Sequence, residues 1–286
     1  MPTNNLAGRT FFITGATSGI GRTTAQALAA RDANVIIGAR SEERAGLFID
    51  ALRRLYSRAE LSFVPIDLAS LASVRRAADM LLTFGRPLDV LINNAGRAGR
   101  DGTTSDGFDL TIGTNHVGPF LLTELLLPSL REATQGRIVN VASRAHFGVK
   151  RLDWGALARP PEIHGFPATY GTSKLMNVLH AKELARRLAD TRITTYSLHP
   201  GVVASEIWRE MPRLVQWVMK QFMISNEEGA RTSLYCATAP ELSTSSGRYY
   251  ARCRDVQPSR LAQDAGLARE LYDRTEAAIQ SVPPDR

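Results

Sequence analysis

Tyr170 and Lys174 stand four residues apart in Tyr170-Gly-Thr-Ser-Lys174, a spacing that places both side chains on one face of a helix. A phenol of pKa about 10 is a poor acid or base at neutral pH, whereas an ammonium beside it favours the phenolate. The pair therefore reads as a proton-exchanging group, and the expectation is a Tyr170 pKa brought down by Lys174. Ser143, at the end of an apolar run, offers a hydroxyl to the same substrate oxygen. Chance alone yields such a Tyr–Lys pair in about one chain in ten of this composition, so a second signal is needed. Without one, a helix tyrosine beside a solvated lysine accounts for it.

The second signal is Thr14-Gly15-Ala16-Thr17-Ser18-Gly19-Ile20-Gly21, which follows an apolar strand and opens an amphipathic helix. Gly15 suits the tight turn, Gly19 the close approach of main chain to a pyrophosphate, and Gly21 the packing of helix on sheet. The phosphates then meet the free N–H groups at the positive end of the helix. This context turns a weak glycine pattern into a dinucleotide site. An oxidised nicotinamide would add its own positive charge beside the phenol. At the end of the second strand stands Gly38-Ala39-Arg40-Ser41, with no acid before Glu42. A ribose 2′-hydroxyl is ordinarily met by Asp or Glu there, and a 2′-phosphate by arginine. NADP(H) is therefore favoured over NAD(H), with Arg40 and Ser41 as its readers.

The elements that must hold these residues are legible as short apolar runs: 10–14, 34–39, 61–66, 88–92, 137–142, 193–198 and 247–251. They barely alternate, as strands buried on both faces do. Helical patterns over 19–30, 41–57, 70–84, 105–133 and 170–188 separate them, and another begins near Ser225. Strand and helix in alternation predict a single α/β domain, a Rossmann-type doubly wound parallel sheet of about seven strands with helices on both faces. Two composition shifts follow strand ends, where open sheets bind ligands. They are an insert at 144–169 and a Trp- and Met-rich stretch at 205–224, read as a mobile lid over an apolar pocket.

Composition excludes several classes. The net charge is +7, but the arginines are scattered singly or in pairs, without the basic run or aromatic platform that single-stranded nucleic acid requires. The longest charge-free run, 110–123, is too short and polar to span a bilayer, and 1–9 lacks a secretory pattern. Two cysteines and five dispersed histidines give neither a disulfide framework nor a metal set. His146 and His164 fall near the expected mouth, as solvated loop residues. A cytoplasmic setting is the expectation.

These marks together resemble the short-chain dehydrogenase/reductase family of classical type. They stand in family order: Thr14–Gly21, Asp67-Leu68, Asn93-Asn94-Ala95-Gly96, Asn115, Ser143, Tyr170–Lys174 and Pro200-Gly201. Within the family the chain is most similar to the retinol dehydrogenase and WW-domain oxidoreductase branch, through Asp106-Gly107-Phe108, Asn115-His116-Val117-Gly118, Arg137–Val141, Glu183–Leu188 and Leu198–Val203. Protochlorophyllide reductases share part of the pattern.

The resemblance implies roles. Tyr170 exchanges a proton with the substrate oxygen as hydride moves, Lys174 tunes it and binds ribose, and Ser143 polarises the carbonyl. Asn115 kinks its helix and holds a water linked to Lys174. Asp67 and Leu68 border the adenine, Asn94, Ala95 and Gly96 the adenosine side, Val202 after the Pro200-Gly201 mark the nicotinamide carboxamide, and Ser205 the cofactor phosphate. Ser205 replaces a common threonine and keeps the hydroxyl. Members often dimerise through the helices around 110–133 and 170–188, so a homodimer is possible unless the long insert obstructs it. Membrane-bound retinol dehydrogenases begin with an anchor that 1–9 does not resemble, which sets a retinoid substrate apart from the wider class. The expected activity is hydride transfer between NADP(H) and a small, bulky apolar alcohol or carbonyl. The competing reading is a dinucleotide-binding sensor or interaction module that turns nothing over.

Overall fold

A strand buried on both faces needs apolar side chains at consecutive positions, and all residues of Thr10–Thr14, Asn34–Ala39 and Arg137–Val141 are buried. In the computed structural model, which describes residues 5–99, 101–159, 161, 165–201 and 224–283, these are strands β1, β2 and β5. With β3 (Leu61–Pro65), β4 (Val90–Asn93), β6 (Thr194–His199) and β7 (Arg248–Ala251) they form a parallel sheet. A short β8 (Arg254–Asp255) pairs antiparallel with β7, giving the order β3-β2-β1-β4-β5-β6-β7-β8. The β7–β8 turn, Arg252-Cys253, carries φ of 51° and 57°, and neither residue announces that turn.

Alternate residues of β1 feed two cores. Phe11 and Ile13 pack with α1 (Gly19–Ala29), α2 (Glu42–Leu55) and α7 (Asn226–Thr238). Phe12 faces α3 (Leu71–Leu82), α5 (Gly118–Glu132), α6 (Ala168–Arg187) and α9 (Ala265–Gln280). After β1 the chain winds outward to β2 and β3, and β4 starts the other half on the opposite side of β1. The ends of β1 and β4 therefore flank the crevice where doubly wound sheets bind ligands.

The helix expected from Ser105 begins at Leu110 instead. Asp109 caps it, Oδ1 accepting the Thr111 and Ile112 N–H groups at 2.8 and 2.9 Å, an arrangement worth about 1 kcal/mol. Residues before it form a turn closed by the Thr103–Asp109 bridge. Helix α4 (Leu110–Ile112) then enters a π-helical turn at Gly113–Val117 before α5. Such turns insert one residue and re-aim the side chains around it. The insert folds as two 3-10 turns, Arg144–Gly148 and Trp154–Leu157. Arg159 fastens it, donating to Asp106 O at 3.2 Å and to Ser281 O and Oγ at 2.8 and 2.7 Å. Most of the expected lid, 205–223, lies outside the described residues, as does His164.

Two elements absent from the expectation, α8 (Arg260–Gln263) and α9, close the chain over α6. Tyr272 of α9 meets Phe120 with ring centres 4.8 Å apart. Arg187 lies 3.7 Å over the Tyr272 ring and bridges Glu183 and Asp273. His116 Nε2 bonds Thr275 Oγ1 at 3.0 Å, and that hydroxyl donates to Leu271 O at 2.7 Å, so the imidazole must be the donor. Helix α9 thus packs against α5 and α6, the two helices through which family members often dimerise by the resemblance. No helix among the described residues is long and apolar enough to cross a membrane.

Burial pushes His116 down to about 3, and burial with the His116 charge pushes His180 well below its ordinary value. Both depressed values mean that the folded state resists protons which the unfolded chain takes up below its pKa of about 6.5. Stability is present above that pKa and is lost as pH falls from 6.5 towards 3. His116 should remove about 2 kcal/mol between pH 7 and 5, and His180 adds a loss of the same sign. His180→Phe, which keeps the ring contacts with Phe120 and Tyr272, should flatten that loss when unfolding is followed by denaturant titration at both pH values. An unchanged slope would show that the buried rings do not control it.

Candidate active site

The β1 exit is held open by glycine geometry. Gly15 and Gly19 have φ of 69° and 51°, which a side chain disfavours. A Cβ on Gly15 would lie 2.9 Å from Ala95 Cα, and one on Gly21 would lie 2.4 Å from both Gly15 O and Asn94 Nδ2. Asn94 closes the crevice from the β4 side: Nδ2 donates to Thr14 O at 2.9 Å, and its N–H and that of Ala95 both donate to Thr14 Oγ1. Thr14 and Asn94 are therefore stitching residues for the loop that spans Thr17, Ser18 and Ile20.

The end of α1 fits an anion. Its N-cap, Ser18, makes no side-chain cap bond, and its first turn holds no acid. The neighbouring α2 is finished differently, with Ser41 Oγ accepting Arg44 N–H at 3.2 Å and Glu42 and Glu43 in the first turn. The uncovered positive end of α1 and the Cβ-free cradle suit a pyrophosphate. Arg40 is exposed at the end of β2 and forms no ion pair among the described residues. Asp67 Oδ1 accepts Ala69 N–H at 3.0 Å. Leu68 is buried, with its carbonyl where a Gly118 Cβ would fall at 2.3 Å. Pro200 and Gly201 follow β6, Gly201 at φ 103°, whereas Val202 and Ser205 lie outside the described residues.

Tyr170 stands in the first turn of α6 and Lys174 one turn on, both buried. The phenol shares a hydrogen bond with the Ser143 side chain. Ser143 Oγ also accepts Ala145 N–H at 3.2 Å, which leaves its own proton to point at another oxygen. Lys174, 2% exposed, donates to Val141 O at 2.9 Å, its Nζ 5.6 Å from the Tyr170 ring centre.

Here the structure departs from expectation. Burial pushes Tyr170 up to about 12 against the opposing Ser143 bond, and burial draws Lys174 down to about 8. The ammonium is spent on a carbonyl rather than on the phenol, so desolvation decides both values.

Asn115 sits in the π-helical turn between α4 and α5. Its side chain is fully engaged: Oδ1 accepts Arg97 N–H at 2.8 Å, and Nδ2 donates to Arg97 O at 2.9 Å and Ser173 Oγ at 3.0 Å. A Cβ on Gly96 would lie 3.3 Å from Asn115 Oδ1 and 3.4 Å from Lys174 Nζ. Gly96 thus permits the β4 loop, Asn115 and Lys174 to converge.

Several contributors went unread in the sequence. Asn93 Nδ2 donates to Thr123 Oγ1 at 3.0 Å and to Asn140 Oδ1 at 2.9 Å, cross-linking β4, β5 and α5 beneath the site. Phe166 faces Tyr170 with ring centres 6.2 Å apart, and Phe147 is 50% exposed beyond Ser143. His146, expected as a solvated loop residue, is completely buried. No group of three metal-ligating side chains occurs among the described residues.

Comparison with known proteins agrees with this geometry. A family model for short chain dehydrogenases matches residues 9–157. The chain is 41% identical over 280 residues to human dehydrogenase/reductase SDR family member 13, covering 94% of this chain and 72% of that protein. It is 38% identical to human retinol dehydrogenase 11, covering 95% and 86%. Among solved structures, an uncharacterised protein of Mycobacterium paratuberculosis superimposes with a TM-score of 0.75 at 33% identity, covering 97% and 95%. The Pseudomonas aeruginosa RhlG/NADP complex gives 0.70 at 25% identity, covering 94% and 99%. The chain belongs to the short-chain dehydrogenase/reductase family of oxidoreductases, on the side of its retinol-dehydrogenase-like members.

Proposed function

We propose that the protein is an NADP-preferring oxidoreductase that interconverts a bulky apolar alcohol and its carbonyl, with Tyr170 as the general acid and base. The observation that carries this is the buried meeting of Tyr170, Ser143 and Lys174 at the end of β5, beside the Gly15–Gly21 cradle. Bound nicotinamide supplies or accepts the hydride.

The chain's own groups do the rest. The free N–H groups of α1 hold the pyrophosphate, and Arg40 and Ser41 receive a 2′-phosphate. Ser143 directs its hydroxyl proton to the substrate oxygen. Tyr170, neutral at pH 7 as a phenol is and held further from ionisation by its burial, donates its proton to that oxygen in reduction and must be deprotonated for oxidation. Lys174 stays within reach to steady a phenolate once a cationic cofactor joins it. Phe166 and Phe147 offer aromatic surface for an apolar substrate. The retinol dehydrogenase relative supports that class, and the RhlG/NADP complex supports the cofactor choice.

Tyr170→Phe removes the proton and little else. Turnover of an aldehyde and ketone panel should fall about 10²–10⁴-fold, while NADPH affinity measured by fluorescence stays within a few-fold. Binding of cofactor with no turnover by the wild type would favour the sensor reading.

Arg40→Asp removes a charge-assisted contact worth about 1.5–3 kcal/mol and adds repulsion. NADPH affinity should drop by more than about tenfold and NADH affinity hold or improve. A native preference for NADH would refute Arg40 as a phosphate reader.

Because the phenol lies above neutrality, alcohol oxidation should accelerate as pH rises, and carbonyl reduction should not. Lys174→Met keeps the stem and removes the charge, so its oxidation rate should be slow at pH 7 and recover towards the phenol's own value. Stopped-flow hydride transfer at saturating NADP⁺ reads this directly. Superimposable scaled pH profiles for variant and wild type would separate Lys174 from Tyr170.

A further inference from the structure

We infer that His146 is the positioning residue for Ser143, and that it couples the Ser143 turn to the start of the C-terminal helices. This rests on the oxidoreductase reading above.

His146 is 0% exposed, in the 3-10 turn that follows β5, in a segment whose composition suggested solvent. Its ring joins two main-chain groups. Nδ1 lies 2.6 Å from Ser143 O, and Nε2 lies 3.1 Å from Ser259 N. A main-chain N–H can only donate, so Nε2 must accept. A carbonyl can only accept, so Nδ1 must carry the hydrogen. The two partners together fix one neutral tautomer. A second proton would set N–H against N–H at Ser259.

The consequence falls on Ser143. Its carbonyl receives the ring Nδ1–H and the His146 main-chain N–H, the latter at 3.2 Å, while its Oγ receives Ala145 N–H at 3.2 Å. Main chain and side chain of Ser143 are thereby held from within one turn, which sets the hydroxyl against Tyr170. The turn alone does not settle its own place. Ser259 does so, because it caps α8, its Oγ accepting Ala262 N–H at 3.4 Å. Rings of Phe147 and Tyr249, with centres 4.3 and 5.0 Å away, hold the imidazole plane.

An asparagine in this place mimics Nδ1 and reaches Ser143 O as a donor, but not Ser259. A glutamine mimics Nε2 and accepts from Ser259, but puts no donor at Ser143 O. Each variant loses one bond, so a merely structural role costs both alike. If His146 acts through Ser143, His146→Asn should keep kcat within about threefold of wild type. His146→Gln should lose about 10- to 100-fold, since misplacement by about 1 Å is enough. KM for NADPH should move little in either. The assay uses full-length protein, NADPH and 4-nitrobenzaldehyde, with thermal midpoints measured alongside. Long-range ¹H–¹⁵N spectra of the wild type, which need no turnover, should show His146 as the neutral Nδ1–H tautomer.

Equal losses in the two variants, or an Nε2–H tautomer, would overturn the positioning role while leaving the oxidoreductase reading intact. A wild type that shows the expected tautomer but reduces no carbonyl would overturn the oxidoreductase reading, and the positioning role with it.

Discussion

Everything at the crevice depends on how the ends of β1 and β4 are kept together while the chain leaves them in opposite directions. One hydroxyl does most of this, since Thr14 Oγ1 receives the N–H groups of both Asn94 and Ala95. Asn94 returns the tie through its amide to Thr14 O. Backbones this close leave no room for a Cβ at Gly15 or Gly21, so the glycines answer to Asn94 as much as to any phosphate. The same tie sends the next residues, to Gly96, across towards Asn115 and Lys174. A single junction thus aligns the nucleotide cradle with the proton-exchanging pair.

That pair is held in a state opposite to the one its spacing suggests. Removing a phenol and an ammonium from water disfavours the charged form of each, and at 5.6 Å from the ring centre the ammonium does not offset this while Val141 O holds it. The protein alone therefore favours a neutral Tyr170, the form that reduction requires. For oxidation under the proposed mechanism, the positive charge that enters with an oxidised cofactor becomes the deciding contribution.

The sheet was legible because burial on both faces leaves uninterrupted apolar runs, and the observed strands fall within one or two residues of those runs. The glycine loop and the Tyr170–Lys174 spacing were legible because each needs a particular residue type at a fixed offset. What escaped reading were features whose signal lies far off in the chain. His146 looks like any loop histidine until Ser259, 113 positions away, comes to rest against it. The phenol's raised pKa depends on burial that no spacing encodes. Some misses were avoidable: Asp109, Ser259 and Asp264 are ordinary helix caps. Beyond Asp264, Ala268, Leu271, Tyr272, Thr275 and Ile279 recur on one helical face.

That last face changes what the outer surface is for. Tyr272 and Thr275 of α9 lie on the rows that Phe120 and His116 present. A dimer built on those rows would have to strip away rings in contact and leave two neutral, buried histidines facing water. The C-terminal helix thus closes the rear of α5 and α6 within one chain.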